Sequence, residues 1–218
     1  MKRLLALLSC LLLLTTACKG VGGDGGEASG VKGDTLMFGA ALSLTGQLAR
    51  EGVLTKEGYD YCKKVVNEKG GVEVGDKSYE LDITYQDDKS TPDVAAQLVD
   101  QMNDDGTKFI LGPYGSSSTE AASAVVERNG QIMISSAGAD DAIFDKGYRN
   151  IFAVLSPASE YLATIVKAVS EVADPKPETV AILSADDGFS KTSAQGGADE
   201  AEAQGMEVVA LEFFPEGS

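Results

Sequence analysis

Ser116-Ser117-Ser118-Thr119 and Ser135-Ser136 are the residues of this chain whose types and spacing best suit holding a small polar ligand. Each run follows an apolar stretch, 109–111 and 131–134, and each lies among small turn residues. Gly112-Pro113-Tyr114-Gly115 precedes the first, and Ala137-Gly138-Ala139-Asp140 follows the second. A serine hydroxyl donates and accepts, and a turn that opens a helix presents backbone N–H groups, a combination that suits an anion such as a carboxylate. The pattern predicts two successive strand-to-loop units, with a helix over 120–128 between them. In a parallel α/β sheet such loops lie at the carboxyl edge, where ligands bind. The bland alternative is that the serines cap a helix and close a turn. Capping needs one hydroxyl of the first four, so ligand contact is the stronger reading there. For Ser135 and Ser136 a plain turn after a strand serves equally well.

Other chemistries find little support. The chain has no histidine, which excludes Ser-His and Cys-His nucleophiles and histidine-ligated metals. It has no Gly-x-Gly-x-x-Gly after the first strand, no Gly-Lys-Ser/Thr phosphate loop and no Gly-x-Ser-x-Gly elbow. A serine with a lysine base would need a lysine beside Ser116; only distant ones such as Lys191 exist. Asp87-Asp88 reads as a polar pair ending a strand rather than a catalytic dyad. Of three cysteines, Cys10 and Cys18 belong to the leader and Cys62 stands alone, so the folded part forms no internal disulfide. Cys62 is expected as a small buried apolar side chain on a helix. The reading is of a binding protein, not an enzyme, with no cofactor.

The elements that must position the serines follow from apolar periodicity. With 218 residues and 43% hydrophobic content, the chain can bury an ordinary core. Strands are expected at 36–42, 72–74, 79–86, 109–111, 131–134, 151–155, 180–183 and 206–214. Helices are expected at 52–68, with Val53, Leu54, Tyr59, Tyr61, Cys62, Val65 and Val66 inward, and from Thr91 (the cap) to 103. Further helices are expected at 141–146, at 157–172 with Tyr161, Leu162, Ile165, Val166 and Val169 inward, and at 189–204. Alternating strands and helices give an α/β, mostly parallel, doubly wound sheet, and the pattern restarts near Ser156. The net charge is −16, from 34 acidic and 18 basic residues, which argues against nucleic acid as a partner.

The first residues form a leader. Met1-Lys2-Arg3 precedes an apolar run over 4–14, and Leu14-Thr15-Thr16-Ala17-Cys18 resembles a bacterial lipobox. That resemblance implies cleavage before Cys18 and a lipid on its thiol that anchors the protein to a bilayer. Residues 18–34, rich in glycine and poor in apolar side chains, read as a tether.

Several segments together resemble the periplasmic binding proteins of the leucine/isoleucine/valine-binding family, which serve ABC transporters. They are Leu42-Ser43-Leu44-Thr45-Gly46, Glu68-Lys69-Gly70-Gly71-Val72, Tyr85-Gln86-Asp87-Asp88, Ile110-Leu111-Gly112-Pro113, Ser116-Ser117-Ser118-Thr119, Met133-Ile134-Ser135-Ser136-Ala137 and Lys146-Gly147-Tyr148. The resemblance implies a periplasmic-binding-protein-like fold of two doubly wound lobes, here a first lobe over 35–155 and the beginning of a second over 156–218. It implies an extracytoplasmic protein that delivers an amino acid, or a related small carboxylate or amide, to a permease. A ligand-sensing ectodomain acting through a partner protein would use the same cleft. By the resemblance Ser116 meets the ligand carboxylate, backbone groups at Ala137 meet carboxylate and ammonium, and Phe189 covers the ligand. Ser117, Ser135, Ser136 and Gly138 complete the expected wall. Ala139 departs from the threonine of the family's amino-acid binders, and Phe189 from a frequent tyrosine, so amides, short-chain acids and aromatic acids stand beside amino acids as ligands. Family members are considerably longer. The chain is therefore expected to be a fragment or truncated product, with the rest of the second lobe absent and an exposed edge at Val208-Val209-Ala210-Leu211.

Overall fold

A continuous apolar run cannot face water on either side, and the run over 36–42 becomes the central strand of the larger of two sheets. The computed structural model describes residues 30–215. The larger sheet holds β1 (Val31–Lys32), β2 (Thr35–Leu42), β3 (Val72–Val74), β4 (Lys77–Asp87), β5 (Phe109–Leu111), β6 (Ile132–Ser135) and β7 (Ile151–Ala153), in the order β3-β4-β2-β5-β6-β7 with β1 beside β2. β4, β2, β5, β6 and β7 run parallel; β1 and β3 pair antiparallel with β2 and β4. Helices α1 (Ala49–Glu68), α2 (Pro92–Asp104), α3 (Ser116–Asn129) and the short α4 (Asp141–Phe144) connect them. The second sheet pairs β8 (Thr179–Ala185) with β9 (Glu207–Phe214) in parallel, flanked by α5 (Ser159–Val172) and α6 (Gly188–Ala203). This is the α/β, parallel-dominated architecture expected from the sequence.

The main core lies between the sheet and the α2–α3 pair, where Val99, Met102, Ile110, Val126, Met133 and Ile143 are all but sealed from solvent. Two small clusters hold the second sheet to its helices: Val166, Ala201 and Met206, and Ile182, Ala194 and Ala198, with Leu162 packed against both.

Several local expectations fail for physical reasons. Val53, Leu54, Tyr61 and Cys62 are exposed rather than inward. The face of α1 that meets β4 is largely polar. Lys56 Nζ stands 4.4 Å over the Tyr85 ring, the Tyr85 hydroxyl donates to Asp60 at 2.8 Å, and the Asn67 side chain bonds both backbone groups of Leu81. An apolar count along this helix therefore mixes two faces, since Tyr59, Val65 and Val66 are half-buried as expected. On α5, Val166 is buried and Leu162 packs, but Tyr161, Ile165 and Val169 are exposed. Val31 and Lys32, read as tether, form β1 in a hairpin against Leu36 and Thr35. Backbone pairing across a turn with Gly33 at φ 59° needs no apolar run. Thr91 sits at the start of α2, but its hydroxyl makes no cap bond. Residues 18–29 of the tether reading and the leader, Cys18 included, lie outside the described residues.

Two glycines of α1 give a contrasting test. A Cβ on Gly52 would lie 2.0 Å from the Ser43 carbonyl oxygen, whereas one on Gly58 would meet nothing within 4 Å. Gly52→Ala is expected to destabilise the protein by about 1–3 kcal/mol through overpacking, and Gly58→Ala to stabilise it by up to about 1 kcal/mol through helix propensity. Urea unfolding of both variants checks the two signs.

Candidate functional site

α3 begins four residues earlier than the serine run suggested. Gly115, at φ 82°, turns the chain, and Ser116 to Thr119 form the first helical turn instead of a loop before it. Side-chain bonds back along the helix absorb two hydroxyls: Thr119 Oγ1 donates to the Gly115 carbonyl at 2.8 Å and Ser123 Oγ to the Thr119 carbonyl at 2.6 Å. Such back-bonding lets hydroxylated residues sit inside a helix. The first N–H groups of any helix lack a carbonyl in that helix, so this turn brings donors as well as hydroxyls to the sheet edge.

Ser116 does more than end the helix. Its Oγ accepts from the backbone N–H of Ala139 and of Asp140, both at 3.1 Å. The two incoming donors occupy its lone pairs, leaving the hydroxyl proton to be donated. The turn after β6 is drawn tightly onto α3. Gly138 is required there, since a Cβ would lie 2.3 Å from Thr119 Oγ1.

A cleft of about 590 Å³ opens at this edge. Of the residues expected from sequence, Ser116, Ser117, Ser136, Ala137, Ala139 and Phe189 line it together. Ser135 and Gly138 stand behind the wall, fully buried and bonded to one another: Ser135 Oγ donates to the Gly138 carbonyl at 3.0 Å and accepts from its N–H at 3.1 Å. They shape the turn; the cleft is not theirs. Phe189 on α6 meets Tyr161 on α5 edge to face, with ring centroids 5.3 Å apart, and these two aromatics form the wall on the side of the second sheet.

The cleft also includes residues that sequence reasoning passed over. Gln47, Leu48 and Ser90 come from the loops after β2 and β4, Pro92 from the first turn of α2, and Asp187 and Ser190 from the start of α6. A signal for the first group was present in the carboxyl-edge rule, which applies to every strand of a parallel sheet and not only to the two with serine-rich ends. Asp187 caps α6 by accepting from the Ser190 N–H at 3.0 Å. It is the only charged side chain among the cleft-lining residues, and no lysine or arginine is among them.

Carboxylates hold the walls in place. Asp87 Oδ1 accepts from the N–H groups of Leu44, Thr45 and Lys89 at 2.9–3.1 Å, and Thr45 Oγ1 donates to Oδ2 at 2.6 Å. These bonds, that from the Thr45 hydroxyl first, hold its carboxyl below the usual range. Asp88, sealed from solvent, takes 2.7 and 2.8 Å bonds from the Ser43 hydroxyl and Ser90 N–H; burial pushes its carboxyl up, and its Oδ2 has no partner. Asp87-Asp88 is thus a strand-end scaffold. Asp140, beside the missing threonine hydroxyl at Ala139, caps α4 through the Ala142 N–H at 3.2 Å and accepts from Thr192 of α6 at 2.9 Å. Asp141 accepts from the Ser159 hydroxyl at 2.6 Å, and the Ala158 N–H donates to the Ala139 carbonyl at 2.8 Å. Residues 139–141 therefore tie the first sheet unit to α5 and α6. Among the described residues there is no cluster of three or more metal-ligating side chains, and no helix long and apolar enough to cross a membrane.

A cleft at the carboxyl edge of one parallel sheet, walled on its far side by helices of a second, is where α/β folds hold small ligands. Sequence comparison is specific: residues 35–218 match the periplasmic binding protein family, and the chain belongs to it. The chain is 28% identical to the leucine-specific-binding protein of Salmonella typhimurium, over 72% of this chain and 41% of that relative. It is 29% identical to the Leu/Ile/Val-binding protein of Escherichia coli, over 65% and 37%. Among solved structures, the branched-chain amino acid transporter substrate binding protein LivJ of Streptococcus pneumoniae, in complex with isoleucine, superposes with a TM-score of 0.71 at 24% identity, over 84% of this chain and 51% of that one. A solute binding protein of an ABC transporter from Rhodopseudomonas palustris, in complex with 3,4-dihydroxy benzoic acid, gives 0.69 at 20% identity, over 84% and 48%. The chain thus spans about half or less of the length of these relatives. The resemblance to the leucine/isoleucine/valine-binding family read from the sequence is borne out, and with it a family of solute binders, not enzymes, with an extracytoplasmic location.

A carboxyl whose folded pKa is depressed contributes stability that is present above its unfolded value, near pH 4, and is lost as pH falls toward the folded value. For Asp87→Asn the expected result is a lower Tm at pH 7 and a shallower decline below about pH 4 than in the parent. Thermal unfolding across that range checks it; parallel declines would show that Asp87 is not the titrating group.

Proposed function

We propose that this chain carries the ligand-contacting part of a solute-binding protein that takes up a branched-chain amino acid or a related small carboxylate or amide. The observation that carries this reading is the state of Ser116. Two backbone donors occupy its oxygen, so it offers a proton toward the cleft, at the first turn of a helix, where a carboxylate is stabilised. With no cationic side chain in the lining and Asp187 across from this donor set, a ligand carrying both a carboxylate and an ammonium or amide fits better than a simple anion. Phe189 and Tyr161 supply an apolar wall for an aliphatic side chain. The wall residues of the two sheet units belong to two lobes that close about the chain crossover between β7 and α5, residues 154–158. In this reading Cys18 is lipidated, the lipid holds the protein at the outer face of a bilayer, and the bound solute passes to an ABC transporter permease. The support for these last steps is the lipobox-like leader and the names of the relatives.

An NMR titration with L-leucine, L-isoleucine and L-valine, which reads even weak binding, tests the ligand class. Resonances of Ser116, Ser136 and Ala137 should shift together. Ser116→Ala should weaken binding by roughly 1–3 kcal/mol, the scale of a hydrogen bond to a charged group. Unchanged affinity in that variant would remove Ser116 from the ligand site.

A further inference from the structure

Tyr59 does not line the cleft, yet it touches a residue that does. From the half-buried face of α1 its hydroxyl reaches the Gly112 carbonyl at 2.7 Å and Ser136 Oγ at 2.6 Å. A phenol has one proton and a carbonyl can only accept. The Tyr59 proton therefore goes to Gly112, and the short contact with Ser136 must be supplied by the serine's own proton. Burial pushes the phenol up to about 12, so Tyr59 keeps that proton at any physiological pH. Ser136 lines the cleft, and with its proton turned back toward Tyr59 it faces the cleft with lone pairs.

The two cleft serines then have opposite polarity. Ser116 has its oxygen filled by the Ala139 and Asp140 N–H groups and can only donate. Ser136 has its proton committed and can only accept. We infer that Tyr59 is a positioning residue that fixes Ser136 as an acceptor, so that the cleft selects ligands presenting an N–H group, an ammonium or an amide, at Ser136. This rests on the amino-acid or amide reading of the cleft and sharpens it. A carboxylate oxygen at Ser136 would meet lone pairs, whereas an ammonium there gains a charge-assisted bond.

The test uses two probes with the same carboxylate and branched chain: L-leucine, and 4-methylpentanoate, which lacks the ammonium. NMR titrations are made with the parent chain, Tyr59→Phe, Ser136→Ala and the double variant. The parent should prefer leucine. Ser136→Ala should lose about tenfold in leucine affinity and Tyr59→Phe about threefold, with 4-methylpentanoate changed by less than about twofold in each. The double variant should be no worse than Ser136→Ala alone. Equal losses for both probes in Tyr59→Phe would make Tyr59 a staple only and overturn the proposal, as would no loss for either. A second measurement needs no ligand. The phenol C–O stretch of Tyr59, taken as the infrared difference from Tyr59→Phe, should change in Ser136→Ala from that of a phenol that donates and accepts to that of one that only donates. A change to an acceptor-only phenol would overturn the assigned direction. If neither probe bound the parent chain, the ligand reading and the selection drawn from it would both fall, while the infrared result would still decide the direction of the bond.

Discussion

Two backbone N–H groups, from Ala139 and Asp140, converge on one oxygen, Ser116 Oγ, and the rest of the site depends on that convergence. It pins the turn after β6 to the first turn of α3, with no room for a side chain at Gly138. It removes two donors that would otherwise be buried without partners, each of which would carry a penalty of about 1–3 kcal/mol. It also leaves the Ala139 carbonyl aimed at the Ala158 N–H, so that the start of α5 is placed by the same turn. One hydroxyl thereby orients its own proton, closes a core turn and locates the second wall of the cleft.

Acidic side chains carry out most of the remaining positioning. Asp87, Asp88, Asp140, Asp141 and Asp187 each accept from backbone N–H or hydroxyl groups at the ends of elements around the cleft. A carboxylate suits this work because it offers several acceptor sites and binds amide donors with charge assistance. Five of the chain's 34 acidic residues are thus committed to shaping loops. The acidity of the sequence is therefore not only a solvated exterior.

The order of strands and helices was legible in the sequence because parallel strands are short apolar runs and α2 and α3 bury an apolar stripe. The serine-rich stretch was legible as a site because hydroxyls cluster at two adjacent strand ends. What stayed hidden was whatever tertiary contact decides. The inward face of α1 includes the polar Lys56, Asp60 and Asn67, so periodicity found Tyr59, Val65 and Val66 on it but added the exposed Val53, Leu54 and Tyr61. Residues 116–119 read as a turn because serine and threonine are modest helix formers, and only their back-bonding shows why they continue the helix. Ser135 and Ser136 are neighbours of one type, yet one faces Gly138 and the other the cleft. Alternation along a strand end separates them, and that phase is set by register. Ile132, Ile134 and Phe152 remain exposed on the sheet face away from α2 and α3, where apolar content signalled a strand correctly and burial wrongly.

The charge on the chain bears on what the cleft can hold. At a net charge of −16, a simple carboxylate approaches against the field of the whole protein, and no cationic side chain lines the cleft to offset this. A zwitterion carries no net charge and meets little such opposition at distances beyond a Debye length, roughly 8 Å at physiological salt. At close range the uncharged donors of Ser116 and the α3 turn suffice for its carboxylate, because hydrogen bonds to an ionised group are about twice as strong as neutral ones. Asp187 and the oxygen of Ser136 then meet positive charge rather than a second anion. Selection in such a site comes from the direction of hydroxyl protons and the placement of one carboxylate, not from a strong ion pair. A ligand held this way can be enclosed and still be released, as its one charged partner, Asp187, is only half-buried and that ion pair is partly solvated when the cleft opens.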